Sequence, residues 1–514
     1  MAFNTNSRKS NSIKASAAGV IQQIVQIVAA FAYRTIFLML LNEAYLGING
    51  LFSNVLQLFS LAELGIGSAI QFSMYQPIAD RDIRKTGTLV NFYRKIYSAM
   101  AVLVLGMGFC FYPYLDRVVD LSQVPQDVNI TTVYFLFVAN SAASYLFSYK
   151  QSLLTADQRN HLVSLYQTCI QLGGYVLKTI LLVLTKKFVL TLAMDIAFAV
   201  TMNGLFSLWI TNQYQEVFQV RERLGSLEKS QIFKHTSGLL CHKIGQVVVT
   251  STDNIILSKY VSLAAVGIYS NYALIVSAIS NIVGRIFQGL IPSITNYVIQ
   301  TNKEESRHLL FRVLFANLWF SSFTTIALFL LLNPFIGLWL GGRFLFSQGT
   351  VALICAQHYF QTARLTANGF INGYGLFHLD KPRALIESVI NLAVSIWLVN
   401  SIGIPGVFAG TVISGVLTYF WREPYLLHKH ALHGIIGRYW MVQLLWSGLT
   451  VLLCGALLPI MERLSFGISE FVLQMGIVLL VPNLVIMAFF CRSSEWHYWW
   501  GVVRAAICRH RNRD

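Results

Sequence analysis

Apolar runs long enough to cross about 30 Å of hydrocarbon as helix recur from one end of this 514-residue chain to the other. That feature excludes a soluble fold with a single anchor, and it leaves no room for a large domain outside the membrane. Backbone polar groups in lipid must be satisfied within the segment, so such runs fold as helices. Composition agrees, because only 12% of the residues are charged where a soluble domain has roughly 25%. The fold class expected is an all-α polytopic membrane protein.

Fourteen spans are expected, at about 13–41, 45–76, 88–116, 129–155, 159–184, 188–215, 230–258, 265–298, 306–334, 348–377, 382–401, 405–422, 438–461 and 467–491. The first opens on "SIKASAAGVIQQIVQ" and lacks the short apolar core and cleavage site of a secretory signal peptide, so it is expected to be retained. Basic residues fix the orientation, since Lys and Arg stay on the cytoplasmic side. With the N-terminus inside, the inner segments hold most of the 38 basic residues, and the outer segments hold only Arg117, Lys186, Lys187, Lys259, Arg343 and Arg463. Both termini are therefore expected in the cytoplasm. The net charge of +16 is largely this topology signal, and it suits the inner face to anionic membrane lipid. The charges are scattered over short loops, which argues against a nucleic-acid partner. The seven cysteines form no CxxC pair and read as packing residues.

The second half repeats features of the first. Gly47, Ile48 and Ser60 of "YLGINGLFSNVLQLFSLAELGIGSAI" stand opposite Gly267, Ile268 and Ser280, and Asp157 of "LLTADQRN" stands opposite Asp380 of "LFHLDKPR". A six-span repeat keeps both copies in the same orientation, the arrangement in which two bundles rock about a central cavity. The expected organisation is an N-terminal six-helix lobe at 1–215, a cytoplasmic linker at 216–229, a second six-helix lobe at 230–422, a loop with two additional helices at 423–491, and a basic tail at 492–514.

Ionisable residues inside the spans are costly, roughly 2.5–3.5 kcal/mol each on insertion scales, and so face partners or a wet cavity. Arg34, Lys178, Arg285 and Arg364 are candidate contacts for an anionic substrate, the arginines through their fork of donors. Glu63, Asp195, Asp253 and Glu387 are candidates for gating or ion pairing, and their pairing with the cations would leave a nearly neutral site. Glu63 falls at the repeat position two residues from that of Arg285, which opens three readings: an inner gate, a static pair, or a carboxylate reaching cytoplasmic water. Gly65 and Gly67 beside Glu63 serve close packing or a hinge, and Pro292 is a candidate hinge for Arg285. No phosphate loop, HExxH or GxSxG is present, so no catalytic residue and no metal site is expected. The histidines of "LLHKHALH" read as a solvated basic loop.

The chain resembles the bacterial polysaccharide flippases of the O-antigen and capsule type, within the superfamily that also holds multidrug exporters and the lipid II flippase. The likeness rests on Arg34 followed by "LGINGLFSNVLQLFSLAELGIGSAI", on "TDNIILSKYVSLAAVGIYSNY" at Thr252–Tyr272, and on "GIPGVFAGTVIS" at Gly403–Ser414. It implies two six-helix lobes around a central cavity, no cofactor, coupling to an ion gradient, and a place in the bacterial cytoplasmic membrane. It further implies transport of an undecaprenyl-pyrophosphate-linked oligosaccharide for capsule, exopolysaccharide or O-antigen, beside a polysaccharide polymerase and chain-length proteins. The alternatives are a lipid II or multidrug exporter of the same superfamily, and a scaffold of a polysaccharide-synthesis complex that transports nothing itself.

Overall fold

The computed structural model describes residues 25–59, 66–157, 159–222, 224–225, 228, 247, 249, 251–464 and 467–511. Packing divides the chain into two compact units, Met1–Gly267 and Ile268–Asp514. In the first lie α1 (Val25–Leu40), α2 (Glu43–Phe59), α3 (Ile66–Ala79), α4 (Ile83–Phe111), α5 (Ile130–Ala156), α6 (Asn160–Thr185), α7 (Phe188–Gln213), the short α8 (Gln215–Gln219), α9 (251–260) and the first turn of α10 (Leu263–Gln300). In the second, the rest of α10 is followed by α11 (Lys303–Leu340), α12 (Gln348–Ala363), α13 (Leu365–Gly373), α14 (Lys381–Ile402), α15 (Ile404–Gly415), α16 (Trp421–His430), α17 (Ile436–Glu462), α18 (Ile468–Phe490) and α19 (Ser494–Arg511). No strand occurs among the described residues.

The helices begin where the chain supplies a cap. Asp82, Asn129 and Asn302 each accept a hydrogen bond from a backbone N–H three residues on, at 2.8–3.0 Å, satisfying donors that have no partner within the helix. Their flanks are apolar on nearly every face. Trp397, Val389, Val472 and Leu473 are among many large apolar side chains more than half exposed, which water would penalise and lipid does not.

Glycines set how closely helices approach. Gly403, at φ +68°, turns the chain from α14 into α15, a backbone conformation open to glycine at little cost. A Cβ at Gly406 would then strike the backbone of Leu398, and one at Gly410 would lie 2.7 Å from the Cα of Ser395. At that distance Asn391 donates to Thr411 (2.9 Å) and Ser395 to the Val407 carbonyl (3.2 Å), so the polar groups within this helix pair bind each other.

A second close approach lies within the first unit, between α2 and the first turn of α10. Gly47 on α2 meets the carbonyl of Leu263, and Gly267 on α10 meets the carbonyl of Glu43. Glu43 and Leu263 stand 220 positions apart, as do Gly47 and Gly267, so the contact between these two helix starts is reciprocal.

The start of the expected linker is docked on the first unit. A Cβ at Gly87 of α4 would lie 2.6 Å from the Val217 carbonyl, the Asn91 amide donates to the Val220 carbonyl, and Arg84 and Lys85 pair with Glu222 and Glu228.

Ten helices among the described residues are long and apolar enough to cross a membrane, and the expected fourteen are not reached. Span one is described from Val25 onward, as the shorter apolar helix α1, and span seven falls largely outside the described residues. Span two is described as separate α2 and α3, with Glu63 and Gly65 in the undescribed stretch between them. Span ten is broken at Arg364 into α12 and α13. One further expectation is corrected. Span twelve continues as a π-helical turn, Val416–Phe420, and then as α16, so His428 and His430 lie on a helix rather than in a loop. Helix α10 runs through Pro292 without interruption.

Candidate functional site

The break in span ten places Arg364 between α12 and α13 at φ −76°, ψ −11°. Interrupting the helix frees carbonyl groups, and the buried Asn317 of α11 donates to one of them, that of Thr362, at 2.9 Å. The same break sends the Arg364 side chain to Glu423 on α16. Its Nη2 meets Oε1 and its Nε meets Oε2 (3.3 Å), a two-pronged pair with a carboxylate that is 0% exposed. The guanidinium carbon lies 4.1 Å from the ring centre of Tyr419. Tyr419 belongs to the π-helical turn, a distortion frequent at functional sites.

A second node adjoins this one. Arg383, 2% exposed on α14, bonds Asp380 at 2.7 Å and Glu387 at 2.6 Å. Asp380 also lies 3.4 Å from Arg422, which donates to the Leu379 carbonyl at 3.1 Å. The Arg383 guanidinium stands 5.9 Å from the same Tyr419 ring, so that ring joins the nodes. Three arginines and three carboxylates balance here. Around Arg364 the charges are thus paired, since burial of one charge favours burial of its opposite beside it. Glu423 already holds two of the Arg364 donors.

The first unit holds a smaller cluster. Lys178 of α6 pairs with Asp195 of α7 at 3.1 Å and lies 5.0 and 4.9 Å from the ring centres of Tyr33 and Tyr175. Both tyrosines stand within electrostatic reach of Arg34 and Asp195. Arg34, Lys178 and Asp195 are thus brought together.

The structure treats the other candidates differently. Asp253 is buried in α9 at 2% exposure, and Arg285 is exposed on α10. The expected pairing of Glu63 with Arg285 involves a residue outside the described ones, as does the role of Gly65. A Cβ on Gly67 would lie 2.7 Å from the Tyr97 hydroxyl and 2.8 Å from that of Tyr93, so this glycine is packed closely against both rings. The repeated aspartates occupy matching places. Asp157 accepts from Tyr214 at the end of α7 (2.5 Å) and pairs with Arg159 (3.2 Å), as Asp380 pairs with Arg422 beyond α15.

The polysaccharide biosynthesis protein family matches residues 13–298, more than half of the chain. The chain belongs to that family. Among solved structures, this family member resembles the lipid II flippase MurJ in an inward closed conformation, at a TM-score of 0.62 and 14% identity, with 93% of this chain and 99% of that one covered. It also resembles a mutant of the Vibrio cholerae MATE transporter VcmN, at a TM-score of 0.53 and 12% identity, with 82% of this chain and 98% of that one covered. At such identities the likeness shows a shared transporter fold. No curated protein matches the sequence.

Two buried groups of this family member escaped the sequence reading. Glu423 lies one residue past the expected end of span twelve, where "WREPYLLHKH" turns polar; its neighbour Pro424 sits inside α16 without ending it. His358, 1% exposed on α12, contacts Ser280 at 2.8 Å and Thr324 at 2.9 Å and so ties three helices. A lone histidine within an apolar run is the signal that could have found it.

Proposed function

We propose that this protein is a flippase that carries an undecaprenyl-pyrophosphate-linked oligosaccharide from the inner to the outer leaflet of the cytoplasmic membrane, for capsule, exopolysaccharide or O-antigen. The observation that carries the reading is a polysaccharide biosynthesis family match on a chain whose helices cross the membrane and whose fold is that of flippases and exporters. The saccharide named by the family and the lipid named by the flippase meet in one cargo. Arg34 and Lys178 would meet the pyrophosphate in the first unit, while Arg364 would take it by exchange with Glu423, since a guanidinium stays charged when desolvated. Arg285 completes the proposed set.

The test is flipping by the purified, reconstituted chain of one polyprenyl tail and one glycan joined by either pyrophosphate or a neutral linker. Faster transport of the pyrophosphate form, with the difference reduced in Arg34→Gln at equal protein level, supports the proposal. Equal transport of both forms removes phosphate recognition. Transport of neither, together with transport of drug-like cations, would turn the reading to the multidrug exporters. A loss of glycan assembly in cells without any transport in vesicles would leave a scaffold.

A further inference from the structure

A cavity of about 230 Å³ lies in the second unit between α11, α17 and α18. Its apolar wall includes Leu338, Leu458 and Phe471, and its polar groups are Asn333, Gln348, Glu462 and Gln474. The amide donors among these are engaged within the protein. Asn333 donates to the Phe346 carbonyl (3.0 Å) and to Gln348 (3.2 Å), Gln348 to the Phe329 carbonyl (3.1 Å), and Gln474 to the Met461 carbonyl (3.3 Å). What remains is acceptor chemistry. The Oε1 of Gln474, on a side chain 4% exposed, has no hydrogen-bond partner among the described residues, and the Glu462 carboxylate enters no ion pair among them. A buried acceptor left empty costs about 1–3 kcal/mol, so the site is shaped for a group that brings N–H or O–H donors and tolerates a negative neighbour.

The border of the cavity carries the opposite charge. Arg463 follows Glu462 directly and Arg343 precedes the lining residue Leu345 by two positions; both are exposed. Beside it α18 presents bare apolar surface, with Ile468 79%, Val472 59% and Leu473 53% exposed. An acceptor-lined pocket, a basic border and an adjoining apolar face complement a zwitterion attached to acyl chains.

We propose that this cavity holds the headgroup of an aminophospholipid, its primary ammonium against Glu462 and Gln474, its phosphate toward Arg463 and Arg343, and its chains along α18. The three N–H donors of a primary ammonium match the acceptors, whereas a trimethylated ammonium offers none. This site is independent of the cargo proposed above.

The experiment is native mass spectrometry of the full chain purified in detergent and supplied with phosphatidylethanolamine, phosphatidylcholine or phosphatidylglycerol of the same acyl composition. Retention of the ethanolamine lipid about tenfold over the choline lipid, equivalent to about 1.4 kcal/mol, is expected. Glu462→Gln, at an exposed position, and Gln474→Met, which conserves volume, should each remove most of that preference. Equal retention of the three lipids, or a preference untouched by Glu462→Gln, would overturn the proposal. So would free phosphoethanolamine displacing the lipid at comparable concentration, which would assign the cavity to a soluble amine.

Discussion

Removing one partner of the Arg364–Glu423 pair leaves the other charge buried and unpaired, a cost of about 3–5 kcal/mol. Glu423→Ala should therefore lower the unfolding temperature in detergent sharply, and Arg364→Lys less so, since lysine keeps the charge but loses the two-pronged contact and the stacking on Tyr419. The charge-swapped double substitution should recover part of the loss, and a double-mutant cycle measures how much. Strict additivity of the two single losses would show that the pair is not coupled. Charged residues at lipid depth were visible in the sequence because each interrupts an apolar run, as Arg34, Lys178, Asp195, Arg364 and Glu387 do. Their partners were not. Asp195 can be matched with Lys178 only once α6 and α7 pack, and Glu423 was hidden because hydropathy drops at Arg422 while the helix continues.

At the scale of helices, glycines divide into those that separate backbones and those that do not. Gly410→Leu would force α15 off α14, and the protein should fail to accumulate as a folded, monodisperse species in size-exclusion chromatography. Gly455→Ala on α17, where a Cβ would meet nothing within 4 Å, should leave the same profile intact and change stability by no more than about 1 kcal/mol. A normal profile for Gly410→Leu would mean that the helices need not touch. Gly87→Val should likewise lift residues 217–220 from α4, read as faster proteolysis after Val220 than in the wild type. Helix positions and the tight "GIPGVFAG" turn were legible from hydropathy and glycine spacing. The break at Arg364 was not, because the interruption is held by Asn317 from another helix and by Glu423 from a third, and neither leaves a mark in "QHYFQTARLTANG".

For the molecule as a whole, the charge distribution predicts that the α11–α12 connection faces outward and residues 220–222 inward. In a background freed of the exposed Cys110, Cys169 and Cys491, a cysteine at Gly342 should react with an impermeant reagent in intact cells and one at Arg221 should not; the reverse pattern would invert the topology. The repeat was legible as an offset of 220, though each matched residue alone was weak. Gly47 and Gly267 cross at close range, and the carbonyls they meet, of Leu263 and Glu43, stand at the same offset. Neither glycine is free to acquire a side chain, because a methyl group on either would have to occupy the space of the facing helix's own backbone, and each is the mould in which the other was cast.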